Sequence, residues 1–348
     1  MNNQNNSLKK EFHFSDFIAE HIIKLVSFLS FIVILLIFLF VFREALPIFS
    51  YSESNAVYNE EEFDQETYGE EFLGNKPVQK EDEESKQVSK KSEYKTIWEN
   101  LLGTRWEPIS TEPKFGILPL IVGSFKVTLI AVLIAAPLGI FAALYTSFFA
   151  PKWLKEILKP SIELLAGFPS VVIGFFALVF VASFFQNIFG FEYRLNTFVG
   201  GVVLSLAVIP IIFSVTEDAL SAIPKSFVEA SLALGAEKWQ TAIFVVLPAA
   251  TPGIFAAILL GIGRAFGETM IVLMATGNAA LLSFSFFEPV RTMSATIGAE
   301  MAEVVFGELH YNVLFFLGSI LFIFTFILNS IAEFVVRDKL MKKFGGTK

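Results

Sequence analysis

The sequence predicts an all-α, polytopic membrane protein with six transmembrane helices. Of its 348 residues, 54% are hydrophobic and 41 are phenylalanine, a composition too apolar for a soluble domain of this length. Six apolar stretches are long enough to cross a bilayer, which takes about 20 helical residues. They lie at residues 22–42, 116–149, 161–189, 198–216, 249–277 and 313–336.

The second and third stretches are longer than one crossing requires, which predicts that they tilt or run partly along the membrane interface. Pro137 and Pro169 lie inside them. Because proline lacks a backbone donor, each one predicts a kink or a packed break in its helix.

Lysine and arginine predict the orientation, because they concentrate in cytoplasmic loops. The N-terminal tail, the loops near 150–161 and 217–248, and the C-terminus carry basic residues, and all four fall on one side if there are six spans. The short loops on the other side offer little beyond Arg194 and Arg291. Both termini are therefore predicted to be cytoplasmic. The predicted parts are a cytoplasmic tail (1–20), a first transmembrane helix (21–45), an external loop (46–114), a core with five further spans (115–340) and a cytoplasmic tail (341–348).

The external loop accounts for the net charge of −8. It is rich in glutamate, lysine, serine and glutamine, which predicts a disordered, solvated insertion. The alternative is a docking surface for an external partner. Its last part, "TIWENLLGTRWEPI" (96–109), holds two tryptophans and several aliphatic residues, which predicts a short helix on the membrane interface.

The composition also argues against catalysis. The chain has no cysteine, and His13, His21 and His310 show no metal-ligand spacing. No phosphate-binding loop of the ATPase type and no nucleophile–base set is present in the sequence. We therefore expect no catalytic residues, no metal, no cofactor and no nucleic-acid partner.

The loop at about 217–248 carries the first family signal. Glu229, Ala230 and Ser231 are followed by three residues and Gly235, and the run Val245-Val246-Leu247-Pro248 comes ten to thirteen residues later. This pattern predicts a helix, a turn that the glycine permits, and a second helix. It resembles the "EAA" coupling loop of ABC importer permeases (Glu-Ala-Ala, three residues, Gly, nine residues, Ile, any residue, Leu-Pro), with Ser231 for the second alanine and Val245 for the isoleucine. The resemblance implies docking to a cytoplasmic ATPase through Glu229, Ala230, Gly235, Leu247 and Pro248.

A narrower resemblance covers residues 116–340. "GRAFGETMIVLMATGN" (263–278) is similar to the signature of phosphate importer permeases of the PstC type, as are segments 163–176 and 289–318. The PstA type shares the core of the motif but continues with Ala-Pro, where this chain has Met270-Ile271. The resemblance implies a type I ABC importer permease fold. It also implies four kinds of partner: a PstA-type sister permease, two cytoplasmic ATPase subunits, an external phosphate-binding protein, and phosphate as the substrate.

Arg264 and Glu268 are the two charged residues of the fifth apolar stretch, where a charge costs about 2.5–3.5 kcal/mol or more. Four residues apart, they share one face of a continuous helix. Arg264 lies about 24 Å along that helix from Pro248 at 1.5 Å per residue, which predicts a position past the midplane toward the outside. The small residues around it permit close helix packing and a protein-lined cavity: Gly261, Gly263, Ala265 and Gly267.

These two side chains predict that the ligand is an oxyanion. A guanidinium offers a planar fork of donors that matches phosphate. Glu268 can accept a hydrogen bond from the P–OH of hydrogen phosphate, whereas sulfate has no such donor at neutral pH and would be repelled. The alternative for the two residues is a structural Arg–Glu pair that locks the helix packing.

Three further polar residues of the spans are weaker candidates. Ser170, after Pro169, could lend a hydroxyl or freed backbone donors to the anion pathway. Thr128 is a candidate that alternatively hydrogen-bonds within the bundle. Lys126, near the outside mouth of the second helix, fits snorkelling as well as anion attraction.

Two other functions remain open from the sequence. One is a permease for another oxyanion, such as sulfate or molybdate, against which Glu268 argues. The other is a membrane scaffold or sensor that holds the ATPase without transport, against which the arginine at membrane depth argues.

Overall fold

The computed structural model describes residues 14–50 and 97–335 of the chain. Within these ranges, six helical segments are long and apolar enough to cross a membrane. The expected all-α architecture with six spans is therefore confirmed. The predicted tail 341–348, most of the tail 1–20 and most of the external loop 46–114 lie outside the described residues.

The six spanning segments are His21–Phe49, Leu118–Phe149, Ser170–Phe189, Thr197–Ser221, Lys238–Phe266 and Leu309–Phe334. In chain order the described elements are α1 (Phe14–Ala45), α2 (Pro47–Ser50), α3 (Ile97–Leu101), β1 (Trp106–Glu107), β2 (Lys114–Phe115), α4 (Leu118–Leu144), α5 (Lys152–Ala166), α6 (Ser170–Phe176), α7 (Ala182–Phe189), α8 (Thr197–Ser221), α9 (Lys225–Ala233), α10 (Lys238–Thr241), α11 (Leu247–Phe266), α12 (Met270–Ala275), α13 (Met293–Glu300) and α14 (Leu309–Val335). Turns of π-helix extend α4 (Tyr145–Phe149), join α6 to α7 (Ala177–Val181) and join α10 to α11 (Ala242–Val246).

The third apolar stretch is divided. Helix α5 ends at Ala166, and a new helix starts only at Ser170. Pro169 causes this break, because it cannot donate a helical hydrogen bond and it disfavours helical geometry in the residue before it. Pro137 has a milder effect, since α4 continues through it to Leu144.

The fifth stretch, predicted at 249–277, begins and ends earlier than the apolar pattern suggested. Its helical segment runs from Lys238 to Phe266, and α12 is a separate short helix. The preceding loop is correspondingly shorter than the predicted 217–248, because helix α8 continues to Ser221.

Helix α8 lies at the centre of the bundle and packs against α4 and α11 through glycines. A Cβ atom on Gly201 of α8 would lie 2.5 Å from Ile130 of α4, and one on Gly261 of α11 would lie 2.8 Å from Ile212 of α8. Glycine at these positions lets the helix backbones approach each other.

A cluster of buried apolar side chains covers the end of the bundle at which α4 begins. There α3 and the antiparallel hairpin β1–β2 pack onto α13 and α14, with Leu101, Trp106 and Phe115 buried. The short helix predicted within 96–109 is present as α3. Leu101 of α3 and Trp106, which follows it, are buried against residues of α13 and α14. Trp98 of α3 and the adjacent Leu102 are exposed, and the location of α3 on a membrane interface stays a prediction.

Candidate functional site

Arg264 lies in the last turn of α11, which ends inside the bundle. Three residues earlier, Gly261 approaches Val208 and Ile212, and these lie midway along α8. The arginine is therefore near mid-depth, slightly toward the end at which α8 begins. The unpaired carbonyl groups at the end of a helix favour a cation at this position.

Glu268 does not share a helix face with Arg264. Helix α11 ends at Phe266, Gly267 follows as its cap, and α12 starts only at Met270. The prediction of one continuous helix through both charges is therefore wrong. The three glycines in this stretch explain the break, because each weakens a helix by about 1 kcal/mol relative to alanine.

Neither charged side chain has an ionic partner among the described residues. Arg264 is exposed and Glu268 is half-buried, and the ion pairs within 14–50 and 97–335 involve other residues. The structural Arg–Glu pair is not formed. The donors of the guanidinium consequently remain available to a ligand.

Helix α13 holds the segment between α11 and α12. Ser294 Oγ donates a hydrogen bond of 2.6 Å to the carbonyl oxygen of Glu268. One turn later, a Cβ atom on Gly298 would lie 2.5 Å from the methyl carbon of Thr269. The break therefore has a defined conformation that depends on a neighbouring helix.

Helix α6 brings Ser170 toward the same break. Gly174, one turn after Ser170, lies so close to α12 that a Cβ atom there would be 3.0 Å from the carbonyl oxygen of Met270. Ser170 is the first residue of α6 and is half-buried. Among the side-chain hydrogen bonds of the described residues, none joins Ser170 to Arg264.

Lys126 and Thr128 are both buried in α4. Lys126 Nζ donates to the carbonyl oxygens of Ser283, at 2.9 Å, and Ser285. Lys126 therefore anchors the chain between α12 and α13 to helix α4. Thr128 has no described hydrogen bond to the break, so the structure does not bring it together with the two charged residues.

The loop between α8 and α10 has the predicted helix–glycine–helix form. Gly235 has a φ of +90°, and a Cβ atom there would meet nothing within 4 Å. Glycine is thus required for its backbone conformation and not for space. Ser231 Oγ lies 2.9 Å from Thr241 Oγ1, so the hydroxyl that replaces the second alanine of the motif joins the two halves of the loop.

The residues expected to contact an ATPase divide between two elements. Glu229 and Ala230 are exposed on α9, while Leu247 and Pro248 form the first turn of α11. Leu234, between them, is 90% exposed. The tip of this loop therefore presents an apolar side chain that no other described residue covers.

The broken fifth span and the exposed loop occur in a chain that matches a known protein family. The model of the family "Binding-protein-dependent transport system inner membrane component" matches residues 135–340, more than half of the sequence. The chain belongs to this family. Membership confirms the fold class expected from the sequence, a type I ABC importer permease.

Individual relatives agree with the family. The permease is 41% identical to the "Probable ABC transporter permease protein YqgH" of Bacillus subtilis over 66% of this chain and 74% of that protein. It is 34% identical to the "Phosphate transport system permease protein PstC" of Mesorhizobium japonicum, over 68% and 77% respectively. Among solved structures, an inward-facing MetNI methionine ABC transporter is 22% identical, covers 64% of this chain and 94% of its own, and has a TM-score of 0.47.

The permease also contains a charged cluster that sequence reasoning missed. Glu300, at the end of α13, accepts hydrogen bonds from Trp106 Nε1, at 3.0 and 3.1 Å, from Arg291 and from His310 Nε2, at 2.9 Å. Arg291 Nε also donates to the backbone and side-chain oxygens of Asn278. Burial alone would raise the pKa of Glu300, but the hydrogen bonds from His310 and Trp106 and the charge of Arg291 outweigh it and hold that pKa below its ordinary value.

The sequence held little signal for this cluster. Its members come from four separate segments, and the largest separation, between Trp106 and Glu300, is 194 residues. Arg291, Glu300 and His310 all lie in segment 289–318, which resembles phosphate importer permeases, but no pattern within that segment predicts that they meet Trp106.

Proposed function

We propose that this permease is the channel-forming subunit of an ATP-driven importer of inorganic phosphate. It receives phosphate from an external binding protein and passes it across the inner membrane of a bacterium. The observation that carries the proposal is Arg264, an unpaired guanidinium near mid-depth in a broken spanning helix. The relatives named as phosphate transport permeases, at 31–34% identity, support the same substrate.

In this mechanism Arg264 binds the anion. Its planar donors match two phosphate oxygens at once. Glu268, two residues past the end of α11, accepts a hydrogen bond from the P–OH of hydrogen phosphate and repels fully deprotonated anions. Ser170 lies on the helix that packs beside the break and adds a hydroxyl. Thr128 remains a proposal without a contact to support it.

The partners follow from the family. We assign a PstA-type sister permease that completes the pathway and two ATPase subunits that carry out the hydrolysis, so that this chain itself is not an enzyme. The exposed loop around Gly235 docks to an ATPase subunit, and both termini lie in the cytoplasm with it. A permease for sulfate or molybdate is less favoured because of Glu268, and a scaffold without transport would not need the unpaired arginine.

Uptake by the reconstituted complex tests this function. The permease, its sister and the ATPase subunits are placed in vesicles with the loaded binding protein, and labelled phosphate is followed with and without ATP. Arsenate, which also carries a protonated oxygen, should compete, whereas sulfate and molybdate should not. Uptake of sulfate at the same rate, or no ATP-dependent uptake of any oxyanion, would refute the proposal.

A further inference from the structure

Helix α13 connects the break at Glu268 with the outer hairpin. Near its start, Ser294 donates to the carbonyl oxygen of Glu268, and Gly298 packs against Thr269. At its end, Glu300 binds the indole of Trp106, which follows α3 and belongs to strand β1. Since α13 has only eight residues, a shift at one end is passed directly to the other.

The end at Glu300 is held from three directions. Trp106 comes from the hairpin, Arg291 from the chain before α13, and His310 from the first turn of α14. Arg291 in turn is held by Asn278, whose φ of +47° is unusual for a residue other than glycine. The carboxylate of Glu300 is therefore the common acceptor that fixes α13 against the outer part of the permease.

The end at the break is the less stable one. Gly267 N still makes a helical hydrogen bond to Gly263 O, but it is long, at 3.3 Å, and Glu268 N reaches only Ala265 O, also at 3.3 Å. The hydroxyl of Ser294 supplies a shorter contact to the same residue. The direction in which Glu268 presents its carboxylate consequently depends on where α13 lies.

We infer that Glu300 is a positioning residue for Glu268: through α13 it sets the conformation of the break in the anion pathway and links that break to the outer hairpin. This inference rests on the proposed function for the role of Glu268 in selecting the anion. The geometric part, the control of the break by Glu300, can be tested whatever anion is carried.

The absence of cysteine in the chain provides a direct test. Gly267 is exposed, has ordinary backbone geometry, and offers room for a side chain, with the nearest atom 3.6 Å from a Cβ position. A Gly267→Cys permease in the full complex is labelled with a small water-soluble maleimide, and modification of this chain is followed by mass spectrometry. The same background then receives Ser294→Ala, Glu300→Gln or Trp106→Phe.

Ser319→Ala is the matched control. Ser319 is a buried serine whose hydroxyl donates within α14, to Phe315 O, and not to another helix. We expect Ser294→Ala and Glu300→Gln to raise the labelling rate of Cys at 267 by about fivefold, the effect of losing one hydrogen bond, and to lower the maximum uptake rate similarly. Trp106→Phe should act in the same direction, and Ser319→Ala should change neither rate.

Unchanged labelling in both Ser294→Ala and Glu300→Gln, in complexes that assemble normally, would overturn the inference. If Glu300→Gln prevents assembly, Ser294→Ala and Trp106→Phe decide the question, because each removes one donor and keeps the charges. Changed labelling in a complex that carries an anion other than phosphate would refute the substrate assignment and support the positioning role.

Discussion

Arg264 and Arg291 differ in whether their guanidinium donors already have hydrogen-bonding partners in this protein. Arg291 directs its donors to Glu300 and Asn278, so its charge is used in holding the outer structure together. Arg264 has no such partner within the described residues and lies where a charge is costly unless something compensates for it. The unpaired arginine is therefore the one that we assign to the anion.

Replacement of Arg264 or Glu268 by glutamine tests this assignment. Because the two side chains are not paired with each other, both variants should assemble with normal yield. Arg264→Gln removes a charge-assisted contact worth about 1.5–3 kcal/mol and should lower uptake at least tenfold. Glu268→Gln should weaken phosphate uptake and admit sulfate.

Arg43→Gln serves as the control. Arg43 is an exposed arginine at the end of α1, and its replacement should leave uptake unchanged. Uptake and the yield of purified complex are measured for both single variants and for the double variant. Recovery of uptake in the double variant would show that the two charges compensate each other, and would contradict the ligand assignment.

Glu300 predicts a pH dependence of stability. Its pKa in the folded protein lies below the ordinary value of 4.5, so the stabilisation from its ionised form is complete above that pH and is lost as the pH falls through the lower, folded-state pKa. The melting temperature of Glu300→Gln should lie below that of the parent at pH 5 and above. The difference should shrink below pH 4.5, and a difference that instead grows there would contradict the account.

At the scale of single elements, the loop of α9 and α10 shows how a short exposed segment keeps its shape. Gly235 supplies a backbone conformation that other residues adopt only with strain, and the Ser231–Thr241 contact ties the two helices together. This loop leaves apolar Leu234 exposed. We propose that an ATPase subunit covers it.

Gly235→Val should uncouple transport from ATP hydrolysis. The valine meets no clash, but a positive φ costs a residue other than glycine about 1–3 kcal/mol, which should distort the loop. Gly190→Val is a matched control, because Gly190 also has a positive φ, of +67°, and open space around it, at the other end of the bundle. Only Gly235→Val should abolish stimulation of the ATPase by loaded binding protein.

Glu229→Lys should give the same result as Gly235→Val by reversing an exposed charge on α9. Co-purification of the ATPase subunit with each variant is the measurement. Normal co-purification and normal stimulation in both would remove the assignment of a coupling loop.

At the scale of the whole molecule, the two ends of the undescribed external segment lie side by side. The rings of Phe49 and Trp98 are 5.3 Å apart between centroids, and Phe49 also packs against Phe316 of α14. The hairpin that follows is anchored through its own residues, Leu101 and Trp106. The described residues on either side of this segment are therefore anchored by contacts of their own.

Deletion of residues 55–92 should leave uptake largely intact, because the eight residues that remain between positions 50 and 97 can join neighbouring ends. Uptake and complex yield are compared with those of the full chain. Normal assembly with lost uptake would instead identify the acidic segment as a docking element for an external partner.

The class of the permease and the number of its spans could be predicted from the sequence alone. Long apolar runs must be helical in lipid, because no other local structure satisfies their backbone groups. The loop motif was equally readable, since its glycine and flanking helices lie close together in the chain. The break between α5 and α6 could also be predicted from Pro169, because the effect of proline on the backbone is local.

The point at which α11 stops and the surroundings of Glu268 depend on tertiary packing. The sequence is apolar on both sides of Gly267, Glu268 and Thr269, so hydropathy alone predicts one continuous helix; the glycines weaken that helix, and the packing of Gly298 against Thr269 and of Gly174 against Met270 holds the break in place. The Glu300 cluster was hidden for the same reason. Its hydrogen bonds join residues up to 194 positions apart, and a contact of that kind depends on how the helices pack and not on any pattern within one of them.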